Sequence, residues 1–394
     1  MKILHTADWH LGQSFYRYDR GREHEQMFSA LRQIVIRHCP DALIVSGDVY
    51  DTMQPSAQAV RMYNDRLLDL HDACPGMHIV VVAGNHDSPS RIEVDTSLWR
   101  RVGVTIVGDV AWNGDTVDLD RHLINITHEG ELAGIVVAVP FLRGRDYGLG
   151  EESDQRMTLI GRLQARAAER NAGVPVVVAA HDAVRAFDSG GDEQIGNIDY
   201  RNLTAWPEGY DYLALGHIHR PHTLADSLAR ARYAGTPLAM SFDEVGTHSV
   251  SLVTLNGHDR PEIEEIPIEQ PIPMLTVPPE PAPLEDAFAA LRTLPSDEPA
   301  YVRLNVADDN YLPASARADA AAICEDTALR FCDVVRTGTT RAAGVSSGIT
   351  LEDFRSLSPS EVARRYFEAS GIALSDAQRQ MLRTAIDEAE AGGE

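Results

Sequence analysis

Several features are scarce in this sequence, and each scarcity argues against a class of protein. Four cysteines occur in 394 residues, at Cys39, Cys74, Cys324 and Cys332, and none of them forms a Cys-x-x-Cys pair. The sequence therefore predicts a reduced, cytoplasmic protein without a disulfide framework. No apolar run reaches the roughly 18 residues that a membrane-spanning helix needs, so we expect no membrane association.

Positive charge is scarce as well. The chain carries 35 Lys and Arg residues against 59 Asp and Glu residues, which gives a formal net charge of -24. This balance argues against a protein that coats nucleic acid by itself, because phosphate contacts need clustered basic side chains. Metal ions or a partner could still supply positive charge. The sequence also lacks a Gly-x-x-x-x-Gly-Lys-Ser/Thr loop, so we do not expect ATP binding of that kind.

Short apolar runs alternate with helical patterns through the first 215 residues. Because the runs are continuously apolar, they predict strands that are buried on both faces of a sheet. They lie at 3–4, 42–45, 78–83, 104–107, 135–139, 174–180 and 212–215, and helical patterns cover roughly 21–38, 55–71, 90–101 and 155–172. This alternation predicts an α/β fold whose functional loops follow the carboxyl ends of the strands.

The character of the sequence changes after residue 260. Residues 1–260 are predicted to form the catalytic domain, and residues 261–283, which hold eight prolines, a linker with at most one edge strand at 272–277. Residues 284–350 are predicted to form a small α+β module. Residues 351–394 are predicted to form a helical tail, because capping boxes begin at Ser358 and Ser375.

Polar clusters follow most of the apolar runs. They are Asp8-Trp9-His10, Gly47-Asp48-Val49-Tyr50-Asp51, Gly84-Asn85-His86-Asp87, His181-Asp182 and Gly216-His217-Ile218-His219. Each cluster has an ordinary alternative interpretation when it is taken alone. Asp8 and His10 could occupy a surface turn, Asp48 could cap a helix, and His86 and His181 could be hydrogen-bonded histidines without a catalytic role.

Taken together, the clusters predict a binuclear metallophosphoesterase. A two-metal hydrolase needs two sets of oxygen and imidazole ligands from different parts of the fold. The candidate ligands are Asp8, His10, Asp48, Asn85, His181, His217 and His219. Asp48 follows Gly47 and could reach both ions, and the mixed donors suit manganese, iron or zinc.

Three further residues of these clusters have predicted roles. His86 follows Asn85 directly, so we expect it to point towards a substrate phosphate or a leaving group, as a general acid or charge-stabilising group. Asp51 is expected to support the site or to have a structural role. Asp182 is expected to orient His181 or to cap a turn.

Four longer motifs resemble those of the calcineurin-like metallophosphoesterases, and in particular those of the bacterial SbcD nuclease subunits. They are His5-Thr6-Ala7-Asp8-Trp9-His10-Leu11-Gly12, Gly47-Asp48-Val49-Tyr50-Asp51-Thr52, Ala83-Gly84-Asn85-His86-Asp87-Ser88 and Leu215-Gly216-His217-Ile218-His219-Arg220. Tyr233-Ala234-Gly235-Thr236-Pro237-Leu238 and Ser241-Phe242-Asp243-Glu244 add a segment that generic phosphoesterases lack. The resemblance covers residues 1–270 well and the remainder loosely.

The resemblance implies a sandwich of two facing sheets flanked by helices, a capping α+β domain and a helical tail. It implies manganese-dependent exonuclease and endonuclease cleavage at DNA ends and hairpins. One ion would be held by Asp8, His10, Asp48 and His219, and the other by Asp48, Asn85, His181 and His217. His86 would be the transition-state or leaving-group histidine.

The resemblance also implies partners. An SbcC-like coiled-coil ATPase would be gripped by the helices at 359–391, which could otherwise pack on their own domain. A homodimer within a heterotetramer would form through 55–71 and 90–101. The candidate dimer contacts are Met62, Tyr63, Leu67, Leu98 and Trp99, although these could equally be core residues.

Two other functions are compatible with the sequence. A small-molecule or cyclic-nucleotide phosphodiesterase of the same fold would not need the capping module or the tail. A non-catalytic scaffold for an ATPase would not need all seven ligands. Phosphoprotein phosphatases of this superfamily have Asp-Arg-Gly where this chain has Asp51-Thr52-Met53, and the missing Arg favours a diester over a more highly charged monoester.

Overall fold

The computed structural model describes residues 1–113, 116–146, 152–170, 173–185, 193–195, 198–224, 230–244, 246–307 and 312–337, together with Gln378 and Leu382. Apart from those two positions, the predicted helical tail at 351–394 lies outside the described residues. Among the described helices, none combines the length and the apolar character that a bilayer crossing requires.

Strands and helices alternate along the first half of the chain, as the sequence predicts. The strands are β1 (Lys2–Thr6), β2 (Ser14–Phe15), β3 (Tyr18–Asp19), β4 (Ala42–Ser46), β5 (His78–Val82), β6 (Val104–Val107), β7 (Trp112–Asn113), β8 (Thr116–Val117), β9 (Leu123–His128), β10 (Glu131–Val139), β11 (Val176–His181), β12 (Val184–Arg185), β13 (Glu193–Ile195), β14 (Ile198–Asn202), β15 (Tyr212–Gly216), β16 (His222–Thr223), β17 (Ala231–Tyr233), β18 (Ser249–Thr254), β19 (Glu262–Pro267), β20 (Met274–Ala282), β21 (Ala300–Ala307) and β22 (Leu329–Thr337). The α-helices are α1 (Gly21–His38), α2 (Ala57–Ala73), α3 (Pro89–Ile92), α4 (Thr96–Trp99), α5 (Glu152–Arg170), α6 (Leu284–Arg292) and α7 (Ala316–Cys324).

Two six-stranded sheets form the framework of the molecule. The first has the order β19-β18-β1-β4-β5-β6, and the second has the order β16-β17-β15-β11-β10-β9. Strands β1, β4, β5 and β6 run parallel in the first sheet, as do β17, β15, β11 and β10 in the second. Parallel strands end at the same edge of a sheet, so the loops that carry the polar clusters are neighbours within each sheet.

The two sheets pack face to face, and helices cover their outer faces. Ile3 and Ile44 of the first sheet share one buried cluster with Val177 of the second. Alternate residues of the first sheet, such as Leu4 and Leu43, pack instead with residues of α1 and α2. Because both faces of each strand are covered, the strands are apolar throughout rather than alternating. The predicted α/β fold with two facing sheets is confirmed.

The linker predicted at 261–283 is wrong, because this segment contains two strands, although β20 overlaps the edge strand predicted at 272–277. β19 pairs antiparallel with β18, and β20 is the outer strand of a sheet with the order β20-β21-β22. Pro267 ends β19, and Pro278, Pro279 and Pro281 lie within β20. An edge strand tolerates proline because one of its sides has no ladder partner that needs an N–H donor.

The single helix predicted at 90–101 is also wrong. The segment forms the two short helices α3 and α4, followed by a 3-10 turn at Arg100–Val102. Asp95 separates the two helices with a φ of 63°. A residue in this left-handed region cannot continue a right-handed helix, so the helix is interrupted there.

One cysteine pair departs from the sequence-based prediction. Cys39 and Cys74 form a disulfide with Cα atoms 6.0 Å apart, whereas Cys324 and Cys332 are buried and take no part in it. Cys39 directly follows α1 and Cys74 directly follows α2. These helices cover the same face of the first sheet, and their packing brings the two helix ends together, which the spacing in the sequence does not reveal.

The chain divides into two compact units. The first comprises residues 1–275, 296–302 and 326–332, and the other described residues from 276 onward belong to the second. Within the second unit, Arg303 donates hydrogen bonds to Thr276 Oγ1, and Arg317 forms an ion pair with Asp333. The described part of the α+β module predicted at 284–350 contains the helices α6 and α7 and the strands β21 and β22.

Candidate two-metal active site

Main-chain hydrogen bonds join the loops after β1 and β4. Asp8 N donates to Gly47 O at 2.9 Å, and His10 N donates to Asp48 O at 3.0 Å. Gly47 has a φ of 89°, and a Cβ at this position would lie 2.2 Å from His181 Nδ1. Only glycine fits this turn, because it allows both the positive φ and the close approach of the imidazole.

The backbone is strained at four of the predicted ligands. The φ angles are 53° at Asp8, 46° at His10, 48° at Asp48 and 97° at His217. Positive φ is costly for residues with a side chain, and such conformations concentrate at functional sites. The strain indicates that the fold holds these four residues for the position of their side chains.

Main-chain donors hold the two buried carboxylates in place. The side chains of Asp8 and Asp48 are 0% and 3% exposed. His217 N donates to Asp8 Oδ1 at 3.0 Å, and His86 N donates to Asp48 Oδ1 at 2.9 Å. Each donor comes from the loop after a different strand, β15 for Asp8 and β5 for Asp48. The carboxylates therefore fasten several loops to one another.

The structure brings all seven predicted ligands together, in two adjacent groups. In one group, the ligand atoms of Asp48, His181 and His217 lie within 4.8 Å of one another, and Asn85 Oδ1 lies 3.0 Å from His181 Nε2 and 2.9 Å from His217 Nδ1. In the other, the ligand atoms of Asp8, His10 and His219 also lie within 4.8 Å of one another. Asp48 Oδ2 is 3.8 Å from His10 Nε2, so Asp48 lies between the groups.

Burial and mutual charge shift the pKa values of these side chains. Burial raises the pKa of Asp8 against the opposing charge of His181. Burial would also raise the pKa of Asp48, but the charge and the hydrogen bond of His181 hold it below its usual range. Despite its own burial, His181 has a pKa raised to about 9 by Asp48. Burial, and then the charge of His181, lower the pKa of His217 to about 4. Asp48 and His181 thus stabilise each other's charged forms, whereas burial disfavours the charged form of Asp8.

The donor set fits divalent transition-metal ions. His10 is 2% exposed, and neither ring nitrogen makes a hydrogen bond with a described residue, although Nδ1 lies 3.3 Å from Asp51 Oδ1. A buried imidazole without a partner is unfavourable unless it binds something else. Carboxylate, amide and imidazole groups are together the donors that manganese, iron and zinc accept. The binding of ions stays a prediction.

His86 lies exposed beside the ligand groups. Its Nδ1 donates to the main-chain oxygen of Asp51 at 2.8 Å, and its ring centroid is 5.0 Å from that of His10. The ligand atoms of His10, Asp51 and His86 also lie within 4.8 Å of one another. The Asp51 carbonyl and carboxylate therefore contact two histidines of the site, which agrees with a supporting position for this residue.

Two other aspartates of the clusters have structural roles. Asp87 is fully buried and accepts hydrogen bonds from the main-chain nitrogens of Val49, Tyr50 and Gly84. Burial and the charge of Asp48 raise its pKa to about 6, against these three donors. Asp182 pairs with Arg156, and the acceptor that orients His181 is the main-chain oxygen of Ser46 at 2.8 Å. Of the two roles that the sequence suggested for Asp182, the structure does not show the orientation of His181, and Asp182 Oδ1 instead accepts a hydrogen bond from Ala183 N at 2.9 Å.

Sequence reasoning assigned no role to three residues around the site. Glu244 Oε1 accepts a hydrogen bond from His219 Nδ1 at 2.9 Å. The Phe141 ring stacks with His217 at 6.4 Å, and the Arg143 guanidinium lies 5.3 Å from the Phe141 centroid. Glu244 belongs to the segment that resembles the SbcD proteins, which was the one available signal. Phe141 and Arg143 follow β10 without any metal-type pattern.

Two sets of ligands that share a carboxylate at neighbouring strand ends define a phosphoesterase of the two-metal type. The family model described as "Calcineurin-like phosphoesterase" matches residues 1–221. A second model, SbcD_C, described as "Type 5 capsule protein repressor C-terminal domain", matches residues 270–370. The chain belongs to the calcineurin-like phosphoesterases and, within them, to the family of SbcD nuclease subunits. It is therefore a hydrolase of the nuclease class.

Three relatives are SbcD proteins, the nuclease subunits of SbcCD. The protein of Rhodobacter capsulatus is 36% identical over 311 residues, which cover 75% of this chain and 76% of the relative. The Escherichia coli K12 protein is 30% identical over 337 residues, with 79% of each chain covered, and the Bacillus subtilis protein is 28% identical over 293 residues, with 70% and 71% covered. Similar solved structures include a dimetal phosphatase from Danio rerio, at 13% identity and a TM-score of 0.41 over 68% of this chain and 99% of that chain.

Proposed function

We propose that the chain is the nuclease subunit of an SbcCD-type, ATP-dependent DNA repair complex and hydrolyses phosphodiester bonds at DNA ends and hairpins. The observation that carries the proposal is the convergence of seven ligands from both sheets on two adjacent groups, with Asp48 between them. The relatedness to SbcD nuclease subunits supports DNA as the substrate. Because DNA is the proposed substrate, the proposed location is the cytoplasm.

The proposed metal is manganese, bound as two ions. Asp8, His10, Asp48 and His219 would hold one ion, and Asp48, Asn85, His181 and His217 would hold the other, which agrees with the two groups in the structure. When bound, such ions lower the pKa of a water molecule and neutralise charge on the phosphate. Manganese, iron and zinc share these donor preferences, so the identity of the metal needs its own measurement.

His86 is the proposed acid of the reaction. Because its Nδ1 donates to the Asp51 carbonyl, Nε2 is the nitrogen that is left for a substrate. In the imidazolium form, Nε2 can donate a proton to the leaving oxygen or stabilise negative charge on the phosphate. The Asp51 carbonyl keeps the ring in this orientation.

Arg143 is a proposed support for the substrate-facing loop. Its Nη2 donates to the main-chain oxygens of Asn85 and Asp87 at 3.4 and 3.3 Å. These bonds hold the loop that carries a ligand and His86. The guanidinium also places positive charge beside the site, where it would favour binding of the anionic phosphate backbone of DNA. This charge matters because the net charge of the chain is -24.

The test compares three substrates in the presence of manganese. We expect the wild-type chain with its ATPase partner to degrade linear duplex and hairpin DNA faster than it cleaves a small chromogenic phosphodiester. Chelation should abolish cleavage, and added manganese should restore it. Cleavage of the small diester alone would indicate a small-molecule phosphodiesterase, and intact DNA under all conditions would indicate a scaffold.

The proposed partner is an SbcC-like coiled-coil ATPase, held by the helical tail. This part of the proposal depends on the capping boxes at Ser358 and Ser375, which lie outside the described residues. A pulldown with the coiled-coil ATPase should retain the full chain and lose a chain that ends at residue 350. Equal retention of both chains would assign the contact to another surface.

The proposed homodimer interface lies on α2, α3 and α4. Leu68, Val94 and Leu98 are 42%, 59% and 58% exposed and line a cavity of about 430 Å³. Two of the candidate dimer contacts, Tyr63 and Leu67, are instead core residues with exposures of 2% and 0%. A homodimer within a heterotetramer would cover the apolar surface.

Sedimentation should test this interface. We expect Leu98→Glu to shift the chain from dimer to monomer, because the charge would be buried against the second copy. The matched control is Ile36→Glu, which changes another exposed apolar residue (47% exposed) on α1. A monomeric wild-type chain, or equal effects of both variants, would contradict the assignment.

A further inference from the structure

The carboxylate of Glu244 contacts a predicted metal ligand. Glu244 Oε1 accepts a hydrogen bond from His219 Nδ1 at 2.9 Å, and Oε2 accepts one from Met240 N at 2.8 Å. Both oxygens therefore have defined donors. The Glu244 side chain is 17% exposed and that of His219 is 30% exposed, so the contact is largely shielded from water.

This hydrogen bond determines which nitrogen of His219 is available. A neutral imidazole carries one proton, and when Nδ1 donates that proton, Nε2 keeps a free lone pair. His219 shares its ligand group with Asp8 and His10. Carboxylates that accept a proton from a ligating histidine fix its tautomer and its ring orientation in many metal sites.

The other histidines of the site are oriented differently. His181 Nδ1 donates to the main-chain oxygen of Ser46, and His217 Nδ1 lies 2.9 Å from Asn85 Oδ1. His10 makes no ring hydrogen bond with a described residue. In the group of Asp8, His10 and His219, His219 is thus the histidine whose ring makes a hydrogen bond to a side chain outside the predicted ligand set, whereas His10 Nδ1 lies 3.3 Å from Asp51 Oδ1 without such a bond.

The segment before Glu244 is itself braced. Ala239 O accepts a hydrogen bond from Arg20 Nη1 at 2.7 Å, and Ala239 N donates to Gln270 Oε1 at 2.8 Å. Arg20 is 1% exposed, and its Nε donates to Glu23 Oε2 at 2.9 Å. A ligand-orienting group works well only when its own position is fixed, and this network holds the residue next to Met240, whose main-chain nitrogen donates to Glu244 Oε2.

We infer that Glu244 is a positioning residue of the metal site: its carboxylate fixes the tautomer and ring orientation of His219, so that Nε2 serves the ion shared with Asp8 and His10. The inference depends on the proposed two-metal function and assigns it a residue outside the predicted ligand set. Glu244 does not touch the substrate in this proposal, and it acts through His219 alone.

The test measures metal binding rather than activity. Metal-free full-length protein is titrated with manganese chloride by isothermal titration calorimetry. We expect Glu244→Met and Glu244→Ala to lower the affinity for one of the two ions by about 10- to 100-fold, as is typical when a residue that hydrogen-bonds to a ligand is removed. Glu244→Gln keeps an acceptor oxygen and should restore part of that loss. The matched control is Glu264→Met, which removes an exposed carboxylate of β19 and should bind both ions as the wild-type chain does.

A second measurement reads the tautomer directly. Nitrogen NMR of metal-free protein labelled at histidine should show His219 protonated at Nδ1 in the wild-type chain and a mixture of tautomers in Glu244→Met. Circular dichroism shows which variants are folded. One folded variant that lacks the acceptor, either Glu244→Met or Glu244→Ala, is sufficient for the test. Unchanged affinities and an unchanged His219 tautomer in that variant would overturn the inference. If the wild-type chain bound fewer than two ions, the two-metal function would fail, and the NMR result would decide the role of Glu244 by itself.

Discussion

The two large sheets contribute to the site in different ways. The loops of the first sheet supply both carboxylates, and main-chain bonds such as Asp8 N to Gly47 O hold these loops to one another. The second sheet supplies histidines, and two of them depend on acceptors from the first sheet, because His181 donates to Ser46 O and His217 approaches Asn85 Oδ1. The loops of the first sheet therefore hold one another in place, whereas the histidines of the second sheet are oriented by acceptors of the first.

The largest expected effect comes from the shared carboxylate of the first sheet. Asp48→Asn keeps an acceptor for His86 N but removes the negative charge between the two ligand groups. We expect weaker binding of both ions and a loss of manganese-dependent DNA cleavage of more than about 100-fold, which exceeds the effect of outer-sphere partners. The matched change in the second sheet, His217→Asn, should weaken one ion. Calorimetry measures manganese binding by both variants. If each variant lost the binding of one ion only, the proposed difference between the two sheets would be contradicted.

A narrower effect is expected at His86, which belongs to the first sheet but is not a predicted ligand, because this change should affect catalysis and leave metal binding intact. His86→Gln should lower kcat for DNA cleavage by about 10²- to 10⁴-fold, because a general acid contributes that much. Both ions should still bind. The control is His128→Gln, which changes an exposed histidine (66% exposed) at the end of β9. Loss of an ion in His86→Gln would instead make the group of His10, Asp51 and His86 a metal site.

An ion pair in the loop after β11 allows the stability of the second sheet to be tested without changing a predicted ligand. Arg156 and Asp182 form an ion pair whose side chains are 4% and 11% exposed. Arg156→Met should lower the free energy of unfolding by about 3 kcal/mol, because it leaves a buried carboxylate unpaired. Arg170→Met, which breaks the exposed pair with Asp120, should cost much less, because exposed ion pairs contribute little. Urea unfolding measures both, and similar losses would contradict the role assigned to the buried pair.

The last expected effect is a pH dependence of stability that arises between the sheets. His5 Nδ1 lies 2.9 Å from Tyr212 Oη, and burial, followed by the charge of Arg232, lowers the pKa of His5 from 6.5 to about 3. The unfolded chain takes up a proton that the folded chain excludes, so this stabilisation is complete above pH 6.5 and is lost as the pH falls towards 3, at about 1.4 kcal/mol per pH unit.

His5→Gln should therefore have a shallower loss of stability between pH 6.5 and pH 5 than the wild-type chain. Urea unfolding in the presence of a chelator measures the two slopes without a contribution from metal binding. Identical slopes would indicate that His5 is protonated to the same extent in the folded and unfolded chains.

The sequence predicted the central strands and the convergence of the ligands for a simple reason. A run such as 78–83 is apolar throughout, and that pattern indicates a strand covered on both faces. A polar residue directly after such a run, such as Asp48, must lie at the edge of the sheet where other strands end. Both signals come from short segments, so they can be recognised without knowing which other segments pack against them.

The failures share one cause, which is that they involve contacts between distant segments. The disulfide of Cys39 and Cys74 depends on the packing of α1 beside α2. Asp182 pairs with Arg156 from a helix, and nothing in its own neighbourhood distinguishes this from a bond to His181. The prolines of 261–283 suggested a linker with one edge strand, and β19 was missed because its pairing with β18 is a contact that the segment itself does not show.

By itself, the sequence determined which residues can hold cations and that they follow buried strands, because residue type and the apolar pattern are properties of short segments. Only the tertiary structure decided how these residues are grouped and oriented. Asp48 lies between the two groups, His181 donates a hydrogen bond to Ser46 O, and His219 donates one to Glu244. Orientation depends on hydrogen bonds between strands and loops that are far apart in the chain, and such bonds exist only after both sheets have packed.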